Sequence, residues 1–204
     1  MKKKIRILAE CAIMVALATV LSFVKLYAAP LGGSVTLFSM VPIIIIGLRY
    51  GLGWGLGSAF VYSGIQLLFD LSYFSYVPTV KGIILCLFFD YIIAFTMLGL
   101  SGIFRIKENE LNNKKKMTFK AIAATVVACL SRFACHYIAG VVVWYEITKE
   151  GDWNELVHKV GMYTYSFIYN ISYLGPDMLL DLIAVPAVVT VISIVAKNHR
   201  KNAV

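Results

Sequence analysis

Charge is scarce in this 204-residue chain: 15% of its residues are Asp, Glu, Lys or Arg, 60% are hydrophobic, and mean hydropathy is +0.80. A soluble domain carries about a quarter charged residues and roughly half apolar ones, so a water-soluble globule is excluded. The four cysteines, Cys11, Cys86, Cys129 and Cys135, lie inside apolar segments with no CxxC spacing, which argues against a metal centre or a disulfide framework. No GxxxxGK[ST] loop is present, so the chain lacks that cradle for the phosphates of ATP. HExxH and G-x-S-x-G are missing too, and no serine has a nucleophile's context, so no enzyme and no cofactor are implied. A cleavable signal is not expected, because the first apolar run is longer than a signal core and lacks an A-x-A exit.

What remains is long apolar runs. They cover about 7–27, 34–48, 51–71, 80–104, 117–145 and 165–196. A helix needs ~20 apolar residues to cross ~30 Å of hydrocarbon. The expectation is an all-α integral membrane protein with six transmembrane helices, residues 1–204 forming a single membrane domain. Glycines in GLGWGLGSAF allow close helix approach in the third run, and Pro176 and Pro186 are expected to kink the last.

The net charge of +8 reads as topology, not as affinity for nucleic acid. Fourteen of the 19 basic residues fall on one side: Lys2, Lys3, Lys4, Arg6, Arg49, the stretch from Arg105 to Lys120, and Lys197, Arg200 and Lys201. Lys25, Lys81, Lys149 and Lys159 fall on the other. Basic residues collect in cytoplasmic loops, so both termini are expected in the cytoplasm and the protein in the cell membrane, multi-pass. No repeat maps the first three runs onto the last three, so the inverted-repeat signature of many secondary transporters is missing.

Polar groups inside the runs are costly and are functional candidates. At ~1.5 Å per residue, Asp90 lies roughly 10–15 Å below the outer surface, His136 about 12 Å and Asn170 about 8 Å. They should therefore share one layer. His136, Gly140 and Trp144 follow i, i+4, i+8 spacing and face one way, with Gly140 leaving a shelf between imidazole and indole. Tyr165, Tyr169 and Tyr173 repeat that spacing beside Asn170. Such a pocket suits a flat, nitrogen-rich, cationic small molecule. Blander roles exist: Trp144 and Tyr165 fit an aromatic belt, and a lone His136 fits helix–helix bonding. Arg132 is expected to pair with Asp177, with Asp181 competing. Ala12 and Ala16, one turn apart, allow close contact within the chain or with a partner.

The segments RILAECAIMVALATVLS, GGSVTLFSMVPIIIIGLRYG, FFDYIIAF, SRFACHYIAGVVVW and YSFIYNISYLGPD together resemble the thiamine-specific substrate-binding (S) components of energy-coupling factor transporters. The resemblance runs through nearly the whole chain. Its most specific pieces are H-x3-G-x3-W at His136, Gly140 and Trp144, Y-x4-N at Tyr165 and Asn170, and the acidic–Tyr pair Asp90–Tyr91. It implies a six-helix subunit that binds thiamine from outside with high affinity. A transmembrane coupling subunit, which Ala12 and Ala16 would face, and two cytoplasmic ATPases are the implied partners, besides membrane lipid. Asp90, Tyr165 and Asn170 would bind the aminopyrimidine, Trp144 and His136 would pack on the ligand rings, and Tyr91 would be a wall or donor. The chain departs from the family at Leu37, where some members carry a glutamate near the thiazolium. A stand-alone secondary transporter, an S component for a thiamine-related pyrimidine, and an intramembrane enzyme using His136 and Asp90 are the alternatives.

Overall fold

The computed structural model describes residues 2–29 and 32–201, with side chains at 4–29 and 32–196. The side chains of Lys2, Lys3, Lys197, Arg200 and Lys201, counted above for topology, lie outside the described set. The chain is helical almost throughout. Helix α1 spans Lys2–Ser22, followed by a small antiparallel hairpin of β1 (Lys25–Ala28) and β2 (Ser34–Thr36). Then come α2 (Val41–Tyr50), α3 (Leu52–Phe69), α4 (Val80–Phe104), α5 (Lys114–Glu150), α6 (Met162–Ile183) and α7 (Val185–Lys201).

Four helices, α1 and α3 to α5, are long and apolar enough to cross a membrane, and α6 with α7 forms a pair bent by 45°. The ten-residue α2 is a shorter apolar helix. Two expected runs need correcting. Helix α1 stops at Ser22, not near residue 27, and the second run is a helix only from Val41. Between them the backbone pairs Lys25 with Thr36 and Ala28 with Ser34, and the intervening turn uses Gly32 and Gly33 at φ +94° and +83°. Residues other than glycine rarely adopt that region. The last run breaks at Ala184, just before Pro186, while Pro176 stays inside α6. Pro186 sits in the first turn of α7, where a missing N–H is harmless.

Two helices leave α geometry at informative places. In α4, Leu87–Ile92 forms a π-helical turn and Met97–Phe104 winds as a 3-10 helix. In α5, a second π turn covers Gly140–Trp144. Such insertions re-aim side chains and concentrate at functional sites.

The core lies where α1, α2, α3, α5 and α7 meet the second half of α4. Ile43, Ile44, Leu48, Leu98, Ala121, Ala124 and Ala128 are fully or almost fully buried there. Small residues make the crossing possible: a Cβ on Gly99 would lie 2.5 Å from Leu56 Cα, so α3 and α4 touch backbone to backbone. At this end of the bundle Ile106 N–H bonds to the Leu48 carbonyl, and Arg49 bonds to Glu10 at 2.8 Å. The other end, where the hairpin, the end of α3 and the start of α6 converge, is hollow.

Candidate functional site

The hollow end holds a cavity of about 1080 Å³, counting its open mouth. Asp90, Tyr91, His136, Gly140, Trp144, Tyr165 and Asn170, the residues picked from sequence, all line it. They come from α4, α5 and α6. The two π turns carry Asp90 and Tyr91 on one side and Gly140 and Trp144 on the other.

Asp90 is the hub. His136 Nδ1 lies 2.9 Å from one carboxylate oxygen, and the Trp144 indole N–H donates to the other at 2.7 Å. Arg132 Nε donates to His136 Nε2 at 3.3 Å. A guanidinium only donates, so Nε2 must present its lone pair and the ring hydrogen sits on Nδ1, directed at Asp90. Arg132 also contacts Asp177 at 3.5 Å, and its guanidinium stacks 4.4 Å above the Phe95 ring. Asp177 accepts from the Thr36 backbone N–H at 2.8 Å and from its hydroxyl at 3.1 Å. A continuous polar chain thus runs from the hairpin through Asp177, Arg132, His136 and Asp90 to Trp144. The expected Arg132–Asp177 pair is present, while Asp181 lies 4.0 Å from the Cys129 thiol, which donates to it.

Asn170 is spent internally. Its amide donates to the Ser166 carbonyl at 2.8 Å and the His136 carbonyl at 3.3 Å, and its oxygen accepts from Tyr173 at 2.6 Å. Gly140 explains the close approach of α5 and α6. A Cβ there would sit 3.0 Å from both Asn170 Nδ2 and Ser166 Cβ. The shelf expected at Gly140 is therefore partly filled by α6. Tyr165 and Tyr169 stack with centroids 5.8 Å apart, and Tyr169 O–H bonds to the Gly32 carbonyl at 2.9 Å, tying the hairpin to α6. Gly33 lies against Tyr173 so closely that a Cβ would come within 2.7 Å of the ring.

Leu37 does not line the cavity, whereas several residues outside the sequence selection do. Thr36, Gly32 and Gly33 come from the hairpin. Tyr62, Gln66 and Asp70 come from α3 and its end, with the same i, i+4, i+8 spacing that singled out His136 and Trp144. That spacing was the available signal. Asp70, beyond the end of the span, has its carboxyl raised by burial, against the opposing pull of the Lys25 ammonium and a Tyr91 hydrogen bond. Ala12 and Ala16 lie elsewhere, exposed on α1 beside exposed Ile13 and Leu17. Among the described residues no His, Cys, Asp or Glu group of metal-ligand kind occurs.

A helical bundle with long apolar spans and one polar, aromatic-walled cavity defines a membrane protein that takes up a small molecule within the bilayer. Comparison with known proteins gives the family. Residues 8–197 match the family described as thiamine transporter protein (Thia_YuaJ), and the chain belongs to it. It is similar to the thiamine transporter ThiT of Bacillus subtilis, 29% identical over 184 residues, covering 88% of this chain and 87% of the relative. It is also similar to ThiT of Lacticaseibacillus paracasei, 25% identical over 93% of this chain and 89% of that one. The solved structure of ThiT from Listeria monocytogenes matches with TM-score 0.68 at 26% identity, covering 98% and 97% of the two chains. The chain is accordingly a multi-pass transport protein of the bacterial cell membrane, not an enzyme.

Proposed function

We propose that this chain binds thiamine as the S component of an energy-coupling factor transporter. In this reading residues 1–204 form one membrane domain with six crossings, α2 making one and the bent α6–α7 pair another. Both termini are cytoplasmic, so the cavity opens outward. The observation that carries the reading is the Asp90 carboxylate, held between His136 Nδ1 and Trp144 Nε1 inside an aromatic cavity. A carboxyl group in such a cavity suits an amino group on a flat heteroaromatic ring, because a hydrogen bond to a carboxylate is roughly twice as strong as one between neutral groups. Asp90 anchors the aminopyrimidine, with Tyr165 and Asn170 shaping the edge of its pocket. Trp144 and His136 pack on the rings, Gly140 keeps that wall thin, and Tyr91 closes the α4 side.

The chain carries no phosphate-binding loop, so uphill transport draws energy from elsewhere. A transmembrane coupling subunit and two cytoplasmic ATPases supply it. Helix α1 offers Ala12 and Ala16 as the contact for the coupling subunit, since small exposed residues let a partner helix approach closely. After loading, the module reorients the protein and releases the vitamin inward.

The test is a titration of the purified chain with thiamine, with its free pyrimidine moiety and with riboflavin. Thiamine should bind with the highest affinity and quench indole emission, and riboflavin should not bind. The quench should vanish in Trp144→Phe, because Trp54 and Trp153 do not line the cavity. Equal binding of riboflavin, or full quenching in that variant, overturns the assignment. Thiamine uptake into liposomes by the chain alone would favour a stand-alone transporter.

A further inference from the structure

The α3 wall of the cavity has no part in the reading above. Gln66 and Asp70, one helical turn apart, both line it. Gln66 is only 7% exposed, and its Nε2 makes no hydrogen bond of full geometry, the Tyr62 hydroxyl being a polar neighbour one turn away. Buried amides are nearly always partnered, and one that is not needs a reason. Asp70 sits at the C-terminal end of α3, where its N–H bonds back to the Gln66 and Leu67 carbonyls. The same residue precedes the 3-10 helix Leu71–Tyr76, yet its side chain makes no cap bond there, so the carboxylate faces the negative end of α3 without being spent on capping. Both side chains thus keep polar atoms turned to the cavity and are intelligible as choices for a ligand.

Among the described residues, Asp70 and Asp90 are the carboxylates that line the cavity. Asp90, bonded to two side chains of α5, is assigned the ligand's amino group above, and Asp70, hydrogen-bonded to Tyr91, is the second acid, able to answer a positively charged group. Tyr73 and Tyr91 line the cavity with it, and aromatic rings beside a carboxylate form a favourable setting for a cation. Lys25 on β1 also lines the cavity and attracts Asp70, but it is exposed, so solvent weakens that attraction and a ring cation can compete with it.

We propose that α3 forms the second half of the site: the Asp70 carboxylate pairs with a ring cation of the ligand, and Gln66 Nε2 donates to an oxygen on that same half. This rests on the thiamine reading. Thiamine supplies both features in its thiazolium half, a permanently charged ring bearing a hydroxyethyl group, whereas its aminopyrimidine is neutral at pH 7. Asp90 and Asp70 then divide the ligand between them, one reading an amino group and the other a charge.

The experiment compares thiamine with its neutral isostere, in which the thiazolium nitrogen is replaced by carbon, by calorimetry on the full chain. Wild type should bind thiamine at least tenfold more tightly than the isostere. Asp70→Asn should remove most of that preference, weakening thiamine tenfold or more and leaving the isostere within twofold. Gln66→Leu should weaken both ligands alike and keep their ratio. If Asp70→Asn does not fold, the ratio is read in Asp70→Glu, where a displaced carboxylate should change it at least threefold. A ratio identical to wild type in the Asp70 variant overturns the proposal. Wild-type protein that binds neither ligand overturns the thiamine reading itself, a separate outcome.

Discussion

Asp90 on α4 accepts the indole N–H of Trp144 on α5 at 2.7 Å, and this single bond joins the two π turns of the molecule. Each π turn on its own is an irregularity. Together they bring a carboxylate and an indole face to face across the cavity. His136 completes the arrangement at 2.9 Å, with its other nitrogen held by Arg132.

Removing the hub should therefore cost more than one contact. Asp90→Ala takes away the ligand's anchor and the partner of both His136 and Trp144. Thiamine affinity should fall at least tenfold, ~1.4 kcal/mol, with Asp90→Asn intermediate because its amide oxygen can still accept one bond. Isothermal calorimetry checks this, and unchanged affinity in both variants would remove Asp90 from the site.

Gly140 makes a steric prediction. Alanine there brings a methyl 3.0 Å from Asn170 Nδ2 and Ser166 Cβ, tight enough that the α6 side chains must shift by a few tenths of an ångström. Overpacking of this kind costs ~1–3 kcal/mol. Gly140→Ala should lower both the unfolding temperature and thiamine affinity. Gly64→Ala, with no atom within 4 Å of the new methyl, should lower neither.

The buried pair of Arg132 and Asp177 should behave non-additively. Arg132→Met strands a carboxylate that is 1% exposed, and stranding one buried charge costs roughly 3–5 kcal/mol. Arg132→Met with Asp177→Leu removes both charges and should be more stable than Arg132→Met alone. Thermal unfolding of the two single variants and the double variant measures the coupling, and simple additivity would contradict the pairing.

The loop between α4 and α5 makes a pH prediction. Glu110 bonds to Lys120 at 2.6 Å, to the Lys107 backbone N–H at 2.9 Å and to Lys116 at 2.9 Å, in that order of effect, which lowers its carboxyl from 4.5 to about 2. Folding thus favours the ionised form. The clasp contributes fully above pH 4.5 and is lost as pH falls from there through about 2. The difference in unfolding temperature between wild type and Glu110→Gln should be constant from pH 7 to 5 and shrink on further acidification. A difference that grows instead would give the shift the opposite sign.

Much of this was legible before any coordinates. The fourth apolar run, 80–104, covers the same residues as α4, and Asp90, His136 and Asn170, placed at similar heights by the rise per residue, line one cavity. The hairpin was not legible. Residues 25–28 and 34–36 are apolar enough to extend the neighbouring helices, and three or four residues are too few to separate a strand period from a helical one. The π turns were hidden too, since an extra residue in a helix leaves no mark on composition. The α3 wall went unread although Tyr62, Gln66 and Asp70 are regularly spaced, because tyrosine, glutamine and a terminal acid are each unremarkable near a membrane surface.

Composition by itself determined that the chain lives in a bilayer and roughly where its long apolar helices lie, since hydrocarbon tolerates few charges and demands whole helices. Which side chains meet was decided only by the tertiary structure. Spacing along one helix sets a face, but the partner of that face depends on where Gly99 and Gly140 let backbones touch and where π turns re-aim Asp90 and Trp144. Those contacts are made between helices, and the sequence of one helix carries no record of the angle at which another crosses it.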